Sequence, residues 1–73
     1  MMLFVSYPFD NDYKKIQVKI EKAVKKFNAE ETGSGAGFGM RDLNFEFKKE
    51  KDLDGAIQAV RALKIEGLTF SEG

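Results

Sequence analysis

The sequence predicts an α+β domain in which two helices cover one face of a four-stranded antiparallel sheet. Two kinds of spacing carry this prediction. Apolar or β-forming residues alternate or cluster in four short segments, as in strands, and apolar residues recur every three or four positions in two longer segments, as in amphipathic helices. Their order is strand, helix, strand, strand, helix, strand. With 73 residues, we expect one domain that spans residues 1–73.

The first strand is predicted in the segment "MLFVSY" and ends at Pro8, the only proline, because proline cannot donate to a strand ladder. Alternation assigns Phe4 and Ser6 to one face, and the opposite face carries Leu3, Val5 and Tyr7. The first helix is predicted in "DNDYKKIQVKIEKAVKKFN". We expect its start to be capped by Asp10, Asn11 or Asp12, and its apolar stripe to consist of Tyr13, Ile16, Ile20, Ala23, Val24 and Phe27.

The segment "AEETGSGAGFGMRDLNFEFKK" predicts a hairpin. Its first arm is weakly marked and is expected within Ala29 to Ser34, whereas its second arm has an inward face of Leu43, Phe45 and Phe47. The second helix is predicted in "DLDGAIQAVRAL", with Asp52 as its cap and an inner face of Leu53, Ala56, Ile57, Val60 and Leu63. A short last strand is expected around Leu68 and Phe70. The complete order is that of the ferredoxin-like βαββαβ fold.

The glycines at alternate positions from Gly33 to Gly39 allow three interpretations. The first is a phosphate-binding loop. A dinucleotide-binding turn would have to join a strand to a helix, whereas this run joins a helix to a strand, so the glycines could form only a site for a small anion. That site would consist of Gly35, Gly37, Gly39 and Arg41. A second interpretation is a bent hairpin, whose glycines face the same side as Leu43 and Phe45 and let the sheet curl or a helix end approach.

The third interpretation rests on a resemblance. The stretch "LFVSYP", Leu3 to Pro8, resembles the first-strand motif of RNA recognition motif domains, and "AGFGMRDL", Ala36 to Leu43, is similar to part of their third-strand motif. The resemblance implies that Phe4 and Phe38 stack on bases at the open sheet face, with Met40 at the position of the second stacking aromatic. It also implies that Arg41, at the position of a branched core residue, points towards the helices.

Composition excludes several kinds of chemistry. The chain contains no cysteine and no histidine, so disulfides, thiolate or Ser-His nucleophiles and zinc sites of the usual ligands are excluded. Twelve basic residues balance twelve acidic ones, which gives no overall attraction for nucleic acid or anionic membrane. We therefore expect no catalytic residues, no cofactor, no metal and no membrane partner. The absence of cysteine and of a signal peptide in "MMLFVSYPFD" favours the cytoplasm.

These observations predict a small binding module that is not an enzyme. We expect its partner to be a protein or a second copy of the chain, held by the open sheet face, with Phe4, Phe38 and Met40, and by the glycine-rich hairpin. The alternatives are single-stranded RNA on the same three side chains and a small anion at the glycine turn. If a polyanion binds, the first helix offers a competing basic surface of Lys14, Lys15, Lys19, Lys22, Lys25 and Lys26.

Overall fold

A computed structural model of the chain, which describes residues 1–10 and 12–73, confirms the predicted element order. The strands form one antiparallel sheet of order β2-β3-β1-β4, with the two helices on one side, in agreement with the ferredoxin-like arrangement. The elements are β1 (Met2–Pro8), α1 (Tyr13–Lys25), β2 (Glu30–Gly37), β3 (Met40–Glu46), α2 (Glu50–Ala62) and β4 (Thr69–Glu72).

The core lies between the sheet and the two helices. Alternate residues of β1 are fully buried, and Phe45 and Leu43, the β3 neighbours of Leu3 and Val5 across the ladder, are buried as well. The buried set follows the strand and helix periods read from the sequence, and it consists of Leu3, Val5, Tyr7, Ile20, Val24, Leu43, Phe45, Phe47, Leu53, Ala56, Ile57 and Val60. Burying these side chains is the main source of stability for so short a chain.

Helix starts differ from the predicted ones. Helix α2 begins at Glu50 with Lys49 before it, so Asp52 lies in the first turn and the prediction that it caps the helix is wrong. An acidic residue is still favoured there, because the first turn is the positive end of the helix dipole. Before α1, Asp12 makes no capping bond with its side chain, and Asp10 Oδ1 instead accepts from the Asp12 N–H at 2.9 Å. Asn11, the third predicted cap, lies outside the described residues.

A two-residue turn fixes the register of the β2–β3 hairpin. Phe38 and Gly39 form this turn with φ of 53° and 76°, the signs of a type I′ turn, and Gly37 lies opposite Met40. The Gly39 carbonyl also accepts a 2.8 Å hydrogen bond from the Phe9 N–H, which ties the turn to the end of β1. Strand β2 therefore runs up to Gly37, beyond the Ala29 to Ser34 range in which its arm was expected.

This register corrects the predicted orientation of the glycines. Gly35 lies opposite Asp42 and Gly33 opposite Asn44, so both face away from the helices, whereas Ser34 lies opposite the buried Leu43. The prediction that the glycines share a side with Leu43 and Phe45 is wrong. A turn of two residues requires Gly37 to match Met40, and a shift of one residue would move every glycine to the other face.

Candidate binding surface on the open sheet face

Side chains on the sheet face opposite the helices, here called the open face, line up in rows across the strands. One row contains Gly35, Asp42 and Ser6. The neighbouring row contains Gly33, Asn44 and Phe4, and further rows contain Gly37, Met40 and Pro8 at one end and Glu30, Glu46 and Met2 at the other. Because β2 contributes glycine to three of these rows, its side of the open face is a trough without side chains.

Most of these glycines have no role in the packing of the single chain. A Cβ atom built on Gly35 or Gly37 would meet nothing within 4 Å, and one on Gly33 would make only an ordinary 3.5 Å contact with the Asn44 amide. None of the three has the positive φ that requires glycine, which is found instead at Gly39. Glycine in a strand interior costs roughly 0.5–1 kcal/mol relative to alanine. In the isolated chain, neither packing nor backbone geometry therefore explains why glycine occupies these three positions.

The trough opens into a concave depression of about 360 Å³ with a mixed lining. Phe4 supplies an aromatic wall that is 37% exposed, and its ring also lies against the backbone of Gly73. The polar side chains of its lining are those of Ser6, Asp42 and Asn44, and Ser34, whose side chain lies on the helix side, also borders it. The Ser6 hydroxyl donates to Asp42 Oδ1 at 2.5 Å, which holds the carboxylate in place. A carboxylate and an amide beside an aromatic ring can accept hydrogen bonds from a ligand while its apolar part packs on the ring.

The open face is acidic. Asp42 lies near its centre, and Glu30 and Glu46 lie directly opposite each other on β2 and β3. Within the described part of the chain, no strand residue on this face is a lysine or an arginine. Like charges paired across two strands are unfavourable, and a bound cation would relieve the repulsion. The surface is thus suited to a cationic group and poorly suited to phosphate.

Phe4, Phe38 and Met40, the predicted sheet-face residues, do not form one cluster. Phe4 and Met40 both lie on the open face, but they are four rungs apart, about 13 Å along the strands. Phe38 is fully exposed at the hairpin turn rather than in β3. The turn is held to Phe9, which is 44% exposed and whose backbone N–H donates to the Gly39 carbonyl. Of the two predicted stacking aromatics, Phe4 therefore lies on the open face and Phe38 at the end of the hairpin.

The predicted anion-site residues are also separated. Arg41 lies opposite Tyr7 and Ala36 on the helix side of the sheet, the orientation that the resemblance implied, while Gly35 and Gly37 face the other way. Its guanidinium lies 5.9 Å from the centre of the Tyr13 ring, and its Nε is buried without a hydrogen-bond partner in the described structure. This side chain is fixed in the fold and does not point at the glycine turn.

Arg41 belongs to a polar cluster at the edge of the core. Burial raises the pKa of the Tyr7 hydroxyl, and the nearby Arg41 charge acts against this shift. The pKa of Glu31 is raised, first by the Glu21 carboxyl, with which Glu31 can share a proton, and then by burial. The Arg41 charge again opposes this shift. Gln17 donates to Glu21 Oε2 at 3.5 Å on the same helix. The cluster connects α1 to the edge strand β2.

A second depression lies between the helices. It has a volume of about 550 Å³, an apolar floor that includes Phe27 and Leu63, and a rim of Lys19, Lys22 and Lys26. The basic surface predicted for the first helix thus borders an apolar groove on the side of the molecule away from the open face. The two faces have opposite charge, although the whole chain is neutral.

Sequence reasoning did not single out Ser6, Asp42 and Asn44 as site residues. Asp42 and Asn44 alternate with the buried Leu43 and Phe45, and this pattern marks them as the exposed side of β3 without showing that they meet Ser6. The pairing of β1 with β3 brings these three side chains together, and the pairing of β2 with β3 adds Gly35.

No protein-family model matches the chain, and no curated protein matches it either. Among the described residues, no three of the acidic type come together in a way that could hold a metal ion, and no helix is long and apolar enough to cross a membrane.

Proposed function

We propose that the protein is a binding module, without catalysis, that holds a basic segment of a protein partner against its open face. The trough along β2 would take the backbone of the partner, Phe4 would pack against its apolar atoms, and Asp42 would accept a hydrogen bond from an arginine or lysine. The observation that carries this proposal is the set of glycines that the single chain does not need.

Glycine removes side chains where another chain must come close. Because a Cβ on Gly35 or Gly37 would point into open space, these glycines keep clear a surface that side chains would otherwise occupy. Strand residues with side chains would give a better ladder and a less flexible unfolded chain. A partner that lies in the trough is a physical reason for their absence.

Charge supports the choice of a basic protein segment over nucleic acid. The carboxylates of Asp42, Glu30 and Glu46 would repel phosphates, whereas single-stranded nucleic acid is normally held by a cationic groove beside stacking aromatics. Lys19, Lys22 and Lys26 line the groove between the helices instead. Phe4 and Met40, at positions that resemble RNA-stacking ones, are thus on the opposite side of the sheet from these three cations.

The test is a titration followed by backbone amide chemical shifts. The probe is a ten-residue peptide of alternating arginine and valine, compared with the same peptide in which glutamate replaces arginine. We expect the basic peptide to shift the amides of Ser6, Gly35, Asp42 and Asn44, and the acidic peptide to leave them unchanged. Asp42→Asn should weaken binding about tenfold, because a hydrogen bond to a charged group contributes about 1.5–3 kcal/mol.

Two variants of the same strand serve as a matched pair. Gly35→Leu fills the trough and should abolish the shifts, whereas Ala36→Leu adds the same side chain on the other side of the sheet and should retain them. Equal effects of the two substitutions, or equal shifts by both peptides, would contradict the proposal. A ten-nucleotide uridine RNA is titrated in parallel. If this RNA and neither peptide caused salt-sensitive shifts of the Phe4 and Asn44 amides, the partner would be RNA and not a protein.

A further inference from the structure

One edge of the sheet is a free strand that nothing in the described structure covers. Strand β2 pairs only with β3, and its segment from Thr32 to Gly37 is exposed or half-buried throughout. Ser34 and Ala36 face the helix side, yet both are exposed, so α1 does not extend over this edge. The backbone along β2 is therefore open to a further strand.

The turn geometry identifies which backbone groups are free. In a two-residue type I′ hairpin the flanking residues, Gly37 and Met40, exchange hydrogen bonds, and pairs that do so alternate with pairs that do not. Gly35 and Gly37 thus direct their N–H and C=O groups to β3. Ser34 and Ala36 direct theirs away from the sheet, where two residues present two donors and two acceptors in a row.

This edge lacks the features that normally prevent pairing. Residues 32–37, "TGSGAG", contain no proline, no charge and no bulky side chain, although these are the usual protections of a free edge. The opposite edge is different, because β4 has only four residues and ends in Glu72. Short, charged edges resist pairing, so the two edges of the sheet are unequal.

We propose that β2 pairs with β2 of a second copy of this chain, antiparallel and with Gly35 on the twofold axis. This register pairs the unbulged segment 33–37 with itself over its whole length. Ser34 then lies opposite Ala36 of the second copy, so the free donors and acceptors of both chains meet. The result is one continuous sheet of eight strands with an uninterrupted floor of glycine on its open face.

Two further observations favour a second copy over a foreign strand. Strand addition normally selects a foreign sequence through side-chain pockets, and a strand of glycine, serine and alanine provides few. The register also separates the acidic ends, because Glu30 and Glu31 of one copy lie beside the Phe38 turn of the other and not beside each other. The pairing concerns the edge, not the face, so it goes beyond the proposed binding of a basic segment.

Single cysteines test the register, because the chain has none of its own. On the twofold axis, Gly35 and its copy form a pair without mutual hydrogen bonds, with Cα atoms about 4.5 Å apart, within the range that disulfides span. Gly35→Cys should therefore cross-link to a dimer under mild oxidation. Gly33→Cys and Gly37→Cys should each form no disulfide on their own and should cross-link when mixed, since Gly33 of one copy faces Gly37 of the other.

Sedimentation velocity tests the dimer without any cross-link. We expect twice the chain mass of 8.2 kDa at high concentration, and dissociation on dilution. Ala36→Pro removes a donor that the single chain does not use and should weaken the dimer at least tenfold, whereas Ala36→Ser should not. A monomer at millimolar concentration overturns the proposal, and so does a dimer that Gly35→Cys fails to cross-link or in which Gly33→Cys cross-links as well.

The two proposals fail separately. A monomeric Ala36→Pro variant that still binds the arginine–valine peptide would support both proposals, because peptide binding at the open face would persist after the β2 edge had lost its ability to pair. A wild-type dimer that ignores the peptide would support the edge and contradict the proposed function.

Discussion

The ring of Phe27, just beyond the end of α1, occupies the space that a Cβ atom on Gly55 of α2 would need. The Cε1 and Cδ1 atoms of Phe27 are the nearest neighbours of that position, and both are closer than real Cβ contacts come. Glycine within a helix costs about 1 kcal/mol relative to alanine, so the close approach of this ring explains a residue that helix propensity disfavours.

We expect Gly55→Ala to destabilise the protein by about 1 kcal/mol, because overpacking the helix contact outweighs the gain in helix propensity. In a Phe27→Ala background the same change should be stabilising by about 1 kcal/mol, since the ring is gone. Urea denaturation of the four proteins in this cycle measures both values. A Gly55→Ala effect with the same sign in both backgrounds would show that the ring is not the cause.

The strand glycines should respond in the opposite direction. Gly35→Thr is expected to raise the free energy of unfolding by about 0.5–1 kcal/mol, because threonine favours strands and its Cβ meets nothing. Gly67→Ala is the comparison, since Gly67 has φ of 77° and a Cβ there would lie 2.8 Å from Pro8 Cγ. It should destabilise. Thermal unfolding of both variants distinguishes the two kinds of glycine, and a loss of stability in Gly35→Thr would mean that the single chain does need Gly35.

The turn stores strain at an aromatic residue. Phe38 has φ of 53°, and its side chain is fully exposed. This left-handed conformation costs roughly 1–2 kcal/mol for residues other than glycine or asparagine. Phe38→Asn creates the Asn-Gly pair preferred in type I′ turns and should stabilise the fold by about 0.5–1 kcal/mol. Differential scanning calorimetry measures the change. Phe9→Asn, at an exposed residue outside the turn, should bring no such gain. A Phe38→Asn variant with the same unfolding temperature as the wild type would argue against strain at the turn.

The Glu21–Glu31 contact makes stability depend on pH. Since the pKa of Glu31 is raised in the folded state, its protonation favours folding as the pH falls towards the ordinary glutamate value of 4.5, and this contribution is lost as the pH rises through the raised value. Glu31→Gln keeps a neutral side chain at all pH values. We therefore expect this variant to be more stable than the wild type at pH 7 and to lose that advantage near pH 4.5.

Urea denaturation at the two pH values measures this difference. Glu66→Gln, which removes an exposed carboxylate from the turn before β4, should show a smaller change between them. An advantage of Glu31→Gln that grew on acidification would contradict the contact with Glu21.

The sequence was sufficient for the element order and the core because both depend on local periodicity. Leu43, Phe45 and Phe47 alternate, and Leu53, Ala56, Ile57 and Val60 follow helical spacing, so their burial could be read directly. The first arm of the hairpin was harder to predict. Strand β2 is mostly glycine and small polar residues, which carry little strand signal, and its pairing with β3 holds it extended.

The site was less predictable because it depends on register. Phe4 could be assigned to the open face by alternation alone, but the side on which Gly35 lies depends on a turn of two residues. The contact of Ser6 with Asp42 joins residues 36 positions apart, and no local pattern reveals it. Arg41 illustrates the opposite case, because it lies two residues before the buried Leu43 and strand alternation puts both residues on the helix side.

The inequality of the two sheet edges sets a limit on growth. A sheet with two open edges can add neighbours at both and extend into a fibre, whereas a sheet that accepts a neighbour at one edge closes after a single addition. In the proposed dimer, the brevity of β4 and the charge of Glu72 at its end would thus prevent a further strand from adding at the outer edges. Lengthening β4 with uncharged residues would remove this barrier and allow the proposed dimer to extend into an open-ended polymer.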